Sequence, residues 1–184
     1  LVFNNIIGSP CINLDYWSAK KFVQITHSTF TNIGSRCIIS KTQTNKFQTI
    51  ITDSEFNDIH LSFDLREDDP DQRFSGGCIF CKNKADIVVR KCNFTNNYGE
   101  ERGGAIYAET SAIEINNCHF KTCYTDSPDA RGGAIYLNQT SHGDFEFCAG
   151  NTFYNCSATH SGGAIFLYCR DVKTKLTRDD GRKY

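Results

Sequence analysis

Apolar and polar residues alternate along most of this chain in short runs. Ile87-x-Val89, Ile113-x-Ile115, Ile135-x-Leu137 and Ile165-x-Leu167 each place apolar side chains two residues apart. That period predicts short β-strands, because successive strand side chains point to opposite faces. No segment has the three-to-four spacing of a useful amphipathic helix.

The runs are tied to two recurring landmarks. The first is a glycine pair before a small residue and isoleucine. It reads GGAIY at Gly103–Tyr107 and Gly132–Tyr136, GGAIF at Gly162–Phe166 and GGCIF at Gly76–Phe80. Upstream, Cys37-Ile38 and Cys11-Ile12 keep the position without the glycines. The second landmark is a phenylalanine three residues before Ile, Asn or Cys: Phe3…Ile6, Phe30…Ile33, Phe56…Ile59, Phe94…Asn97, Phe120…Cys123 and Phe153…Cys156. An apolar residue precedes most of these phenylalanines by five positions, at Ile25, Ile51, Val89 and Ile115. An extra residue near Gly150 moves Phe147 to six before Phe153.

The copies recur every roughly 25–30 residues, within the range of stacked-repeat architectures. Leucine-rich repeats lack a Leu ladder here, ankyrin repeats lack helices, and a propeller blade needs a longer unit. The pattern therefore predicts an all-β chain, a right-handed parallel β-helix of about six coils, each with short strands joined by tight turns. The glycine pairs supply turn geometry that a Cβ would resist. One coil cannot bury its apolar face alone, but stacked coils can. At about 4.8 Å per coil the rod is ~30 Å long. Phe3, Phe30, Phe56, Phe94, Phe120 and Phe153 form one inward column, and Ile12, Ile38, Ile79, Ile106, Ile135 and Ile165 another.

The expected domain covers residues 1–169. The stretch His60–Arg73, with Glu67, Asp68, Asp69 and Asp71, breaks the period and reads as a loop inserted over residues 60–75. Residues 170–184 read as a polar tail or the start of a further coil.

Composition adds four points. The 184 residues carry a formal net charge of -1, which gives no pull toward nucleic acid. No apolar run of about 18 residues occurs. The chain has no Met and opens on Leu1-Val2-Phe3, as a piece of a longer protein does, so any membrane anchor is expected outside it. Ten cysteines make it cysteine-rich. They fall in register: Cys92 with Cys118, Cys123 with Cys156, and Cys11, Cys37 and Cys78 where Ala105, Ala134 and Ala164 stand later. Exchange with alanine points to buried, mostly reduced thiols.

Candidate chemistry is sparse. Phe80, Tyr107, Tyr136 and Phe166 each follow an inward isoleucine by one residue, so alternation turns them outward. Exposed there, they would form an aromatic ligand-binding stripe. On that reading, serine at Tyr107, Tyr136 and Phe166 abolishes binding and leaves the far-UV spectrum unchanged. Asn93, Asn138 and Asn155 head Asn-x-Ser/Thr sequons and are candidate glycosylation sites. Cys78-x-x-Cys81 has no second pair to complete a zinc site, and Cys81 aligns with Ala108, Leu137 and Leu167 as an inward position. The acidic loop lacks the spaced pattern of a calcium loop. Neither metal nor cofactor is expected. The acids are clustered or scattered, as in Asp53, Asp86, Glu114 and Asp144, and the five His occupy non-equivalent places, so no catalytic set is expected.

GGAI alternating with Phe-x-x-Asn resembles the polymorphic membrane protein family of intracellular bacterial pathogens, whose related surface repeats occur in parasitic protists. Phe94–Asn97, Gly103–Ile106, Gly132–Ile135 and Gly162–Ile165 carry the resemblance. Asn155–Ser157 followed by Gly162–Ile165 looks more like the protist versions. The resemblance covers Cys78–Cys169 well; the first three coils lack GGA. It implies a cell-surface or secreted β-helix, an adhesin or antigenic surface scaffold rather than an enzyme, with a host-cell surface protein or glycan as partner. The alternatives are a fragment of a carbohydrate-active β-helix enzyme whose catalytic coils lie elsewhere, and a passive structural spacer.

Overall fold

The computed structural model describes residues 1–16, 21–42, 47–61, 75–83, 85–110, 112–139, 145–147, 150–169 and 174–176. Its first coil contains β1 (Val2–Asn4), β2 (Ile12–Tyr16) and β3 (Lys21–Thr26). The second holds β4 (Thr29–Ile33), β5 (Ile38–Thr42) and β6 (Phe47–Thr52). The third holds β7 (Glu55–Ile59), β8 (Ile79–Lys82) and β9 (Asp86–Arg90). The fourth holds β10 (Asn93–Thr95), β11 (Ile106–Thr110) and β12 (Ile113–Asn116). The fifth has β13 (His119–Lys121), the short β14 (Tyr124–Thr125), β15 (Ile135–Gln139) and β16 (Phe145–Phe147). The sixth has β17 (Thr152–Tyr154), β18 (Ser157–Ala158), β19 (Ile165–Cys169) and β20 (Thr174–Leu176).

Three six-stranded parallel sheets result, with β14 and β18 pairing beside them. The first face contains β1, β4, β7, β10, β13 and β17; the second β2, β5, β8, β11, β15 and β19; the third β3, β6, β9, β12, β16 and β20. Every neighbour is the equivalent strand of the next coil, so the molecule is a parallel β-helix. Strand β20 lies within the expected tail, and it pairs Leu176 with Phe147 to close the sixth coil. The acidic stretch 62–74 and the terminal residues 177–184 lie outside the described residues.

The two expected columns are present. The phenylalanine rings stack from Phe3 to Phe153 with centroids 4.7–4.8 Å apart and planes within 2–5° of parallel. That interval is the strand spacing itself. Phe30, Phe56, Phe94 and Phe120 are buried, and each contributes about 1.5–3 kcal/mol by burial. Ile38, Ile79, Ile106 and Ile135 are fully buried beside them. On the third face Phe147 pairs with Ile115, so the extra residue near Gly150 is absorbed at the corner and the register survives. Gly150 itself has φ 87°.

The corners follow a rule written in the phenylalanine landmark. The residue two after each Phe is left-handed: Asn5, Asn32, Asp58, Asn96, Thr122 and Asn155, with φ between 52° and 56°. Asn and Asp tolerate this region best among residues bearing a Cβ. The residue three before Phe is left-handed too, at His27, Asp53, Lys91 and Asn117. Asn97, the last residue of Phe-x-x-Asn, is fully buried; it accepts from the Ile59 amide at 3.1 Å and donates to the Phe56 carbonyl at 3.0 Å. A buried amide is tolerated there because these partners satisfy it.

Candidate functional site

The aromatic stripe is in register but not exposed. Phe80, Tyr107, Tyr136 and Phe166 align on the second face, and their rings stack at 4.9–5.3 Å. They point away from the main core, as alternation requires. Phe80 is 0%, Tyr107 2% and Tyr136 6% exposed, and Phe166 is half-buried. The expected exposure is therefore corrected: with Ile39 these side chains form a second, smaller core outside the coils.

The cover includes arginines that the sequence reading missed. The Arg36 guanidinium lies 4.3 Å from the Phe80 ring centre, Arg102 5.4 Å from Tyr136, and Arg131 5.1 Å from Phe166. Each arginine caps the aromatic residue of the next coil, a contact worth ~0.5–2 kcal/mol. Arg36 is fully buried and donates from Nε to the Ser75 carbonyl at 2.9 Å. The signal was available: Arg102 and Arg131 immediately precede their glycine pairs, making the repeat RGGAI. Tyr107 donates its hydroxyl to Glu109 at 2.9 Å, and burial pushes its ionisation upward. Tyr107→Ser is expected to destabilise the domain by about 3 kcal/mol rather than remove a contact at the surface. Urea unfolding followed by circular dichroism checks this; an unshifted midpoint contradicts the packing role.

The cysteines occupy three settings. Cys37 and Cys78 are buried at the position later taken by alanine, and Cys11 is half-buried there. Cys92 and Cys118 occupy a corner column that holds Ser28 and Ser54 in earlier coils. Cys92 Sγ donates to the Arg90 carbonyl at 3.3 Å, as Ser54 Oγ does to Thr52 at 2.8 Å. Cys123 and Cys156 replace Ile33 and Ile59. The eight cysteines whose side chains are described are free thiols. Of Cys78 and Cys81, both fully buried, the latter donates to the Ala85 carbonyl at 3.4 Å. Among the described residues no group of His, Cys, Asp or Glu is arranged to hold a metal.

Cys156 is the half-buried member of its pair. The Cys123 thiol hydrogen-bonds to it and lowers its pKa to about 7, while that of Cys123 is driven up. Alkylation of the folded protein with iodoacetamide is expected to modify Cys156 first, with a rate that climbs through pH 7 rather than near the ordinary thiol value. Peptide mass mapping decides it; earlier labelling of Cys11 would contradict the assignment.

Of the sequon asparagines, Asn93 is exposed on β10 and Asn155 is exposed at a left-handed corner. Asn138 is half-buried on β15, and its partner Thr140 lies outside the described residues. His27, His60, His119 and His160 are exposed; His142 and Asp144 lie outside the described residues. Arg90 and Glu114, on neighbouring coils of the third face, bind each other through two bonds of 2.7 and 2.8 Å, which holds the Glu114 carboxyl below its ordinary range.

The first face offers a different surface. Its outward lanes run Val2, Thr29, Glu55, Asn93 and Asn4, Thr31, Asn57, Thr95 across four coils. Beside them the left-handed corner residues form a ladder: Asn32 Nδ2 donates to Asn5 Oδ1, and Asn96 Nδ2 donates to Asp58 Oδ1 at 2.7 Å. An open groove of about 270 Å³ lies along this corner, lined by Asn5, Ile7, Asn32, Gly34, Asp58 and His60 among others.

Residues 10–180 match the family model of the right-handed β-helix region. The chain belongs to the right-handed β-helix family. No curated protein and no solved structure matches it. Within this right-handed β-helix, the aromatic stripe is part of the packed structure, and the outward lanes of the first face are polar and at least partly accessible.

Proposed function

We propose that this right-handed β-helix is a non-catalytic segment of a cell-surface or secreted protein, acting as an adhesin or antigenic surface scaffold. It would meet its partner, a host-cell surface protein or glycan, along a lateral face. The observation that carries the reading is the first face: the lane Asn4, Thr31, Asn57, Thr95 repeats an amide or hydroxyl side chain at each strand spacing over four coils, next to a groove. Such a surface gives many weak, directional contacts. The interior is fully committed to packing, so specificity falls to outward lanes and inter-coil loops.

Two further features support an extracellular setting. Asn93 and Asn155, the asparagines of two sequons, are exposed. The GGAI and Phe-x-x-Asn repeats resemble polymorphic membrane proteins of the protist type.

The test is binding of fluorescently labelled, folded protein to intact candidate host cells. Saturable binding, displaced by unlabelled protein, is expected. Absence of displaceable binding across the cell panel overturns the adhesive reading and leaves a spacer.

A further inference from the structure

We propose that the corner groove between the first and second faces is a binding site for a neutral saccharide. The proposal deepens the adhesive reading by naming the chemistry of one contact.

The groove has a definite origin. The residue four after each column phenylalanine points outward: Ile7, Gly34, His60, Tyr98 and Tyr124 in successive coils. In the second coil that residue is Gly34, so the column has a notch between Ile7 and His60. Ile7 is 80% exposed and forms one apolar wall. His60 forms the other, with its ring 6.1 Å from Tyr98 and 6.3 Å from Tyr124, which are themselves 5.0 Å apart. His60 is thus backed by an aromatic column while remaining exposed.

Along the groove stand Asn5, Asn32 and Asp58, one per coil at about 4.8 Å intervals. Their left-handed backbones fix where these short side chains emerge. The Asn32–Asn5 and Asn96–Asp58 hydrogen bonds restrain them further, so little side-chain entropy is lost on binding. Each amide offers both donor and acceptor capacity, and the carboxylate accepts only. Paired hydroxyl groups need this mixture. The apolar C–H face of a sugar ring packs against a flat ring such as the His60 imidazole, and Ile7 adds apolar contact from the other side.

The same residues argue against other ligands. Among the described residues lining the groove none is Lys or Arg, and Asp58 is acidic, so these residues favour neutral groups over phosphate, sulfated or sialylated ones. Polar groups along the groove make it a poor seat for a lipid tail. The volume, about 270 Å³, falls just under the ~300–1,000 Å³ of drug-sized pockets and suits one sugar ring, with neighbouring units running onto the Asn and Thr lanes.

The experiment applies the whole chain to an array of neutral hexose and N-acetylhexosamine oligosaccharides with their sialylated and sulfated counterparts. Asp58→Gly removes the carboxylate and suits the left-handed backbone; His60→Ala removes one wall. Saturable binding to neutral members is expected, at least tenfold weaker in both variants, whose unfolding midpoints stay near that of the parent. Gly34→Leu, which fills the notch, should abolish it. Preference for the charged members, no neutral binding, or undiminished binding in Asp58→Gly and His60→Ala overturns the proposal. Cell binding is measured with the same variants. Full cell binding without saccharide binding sinks the groove but keeps the adhesive reading; saccharide binding without cell binding does the reverse.

Discussion

Gly133→Ala is expected to cost the domain on the order of 4 kcal/mol, enough to separate its last two coils. A Cβ there would stand 2.2 Å from the Gly163 carbonyl oxygen and 2.2 Å from that of Ser157. Both atoms are backbone of the sixth coil, so no rotamer change relieves the clash. Moving them apart breaks the amide bonds from Gly133 to Gly162 at 3.2 Å and from Ala134 to Ala164 at 2.9 Å, and the β14–β18 pairing with them. Gly163→Ala is the control. The nearest atom to its Cβ is the Cys156 carbonyl oxygen at 3.6 Å, an ordinary contact, and the change should stay within about 1 kcal/mol of the parent, with stabilisation possible through the unfolded chain. Urea midpoints of the two variants, measured side by side, distinguish the cases. Equal midpoints would show that the coils do not meet as closely as the structure has them.

Phe94→Ala should be nearly as damaging, at about 3–5 kcal/mol. Its ring lies 4.8 Å from Phe56 on one side and 4.7 Å from Phe120 on the other, and it is fully buried. Truncation opens a void in mid-column that rigid strands on three faces cannot collapse into. Phe153, at the last coil, is only half-buried and stacks on one ring, so Phe153→Ala should cost clearly less. In a stacked-repeat protein a central lesion also uncouples the coils on either side. Calorimetry is expected to show a broadened or divided transition for Phe94→Ala and a single one for Phe153→Ala. The reverse order would place the stability of the rod at its ends.

The repeat made the interior legible. Phe and Ile columns, the cysteine registers and the displaced Phe147 all follow from aligning positions at one period, because equivalent residues of stacked coils must meet. What alternation could not supply was the environment of the outward side chains. Tyr107 and Tyr136 point away from the core as period two requires, yet they are buried among the stacked rings of Phe80 and Phe166, with Arg102 over Tyr136 and Arg131 over Phe166. A residue's face is a local property, but its exposure depends on what another segment places above it. At the charged end of the chain the sequence left a polar tail or further coil open, and Thr174–Leu176 pairs as a strand along the edge that the fifth coil presents. The groove was hidden for a third reason. It is made by a missing side chain, Gly34, in a column that carries no motif of its own, so only the stacked register reveals it.

The near-parallel rings have one more consequence. Successive phenylalanine rings keep one spacing and planes within 2–5° of parallel, and equivalent residues pair from coil to coil, so each coil offers the next the same kind of edge. Such a molecule has no preferred number of turns. Inserting or deleting one repeat unit is therefore expected to lengthen or shorten the rod by a single step and to leave the flanking lanes in register.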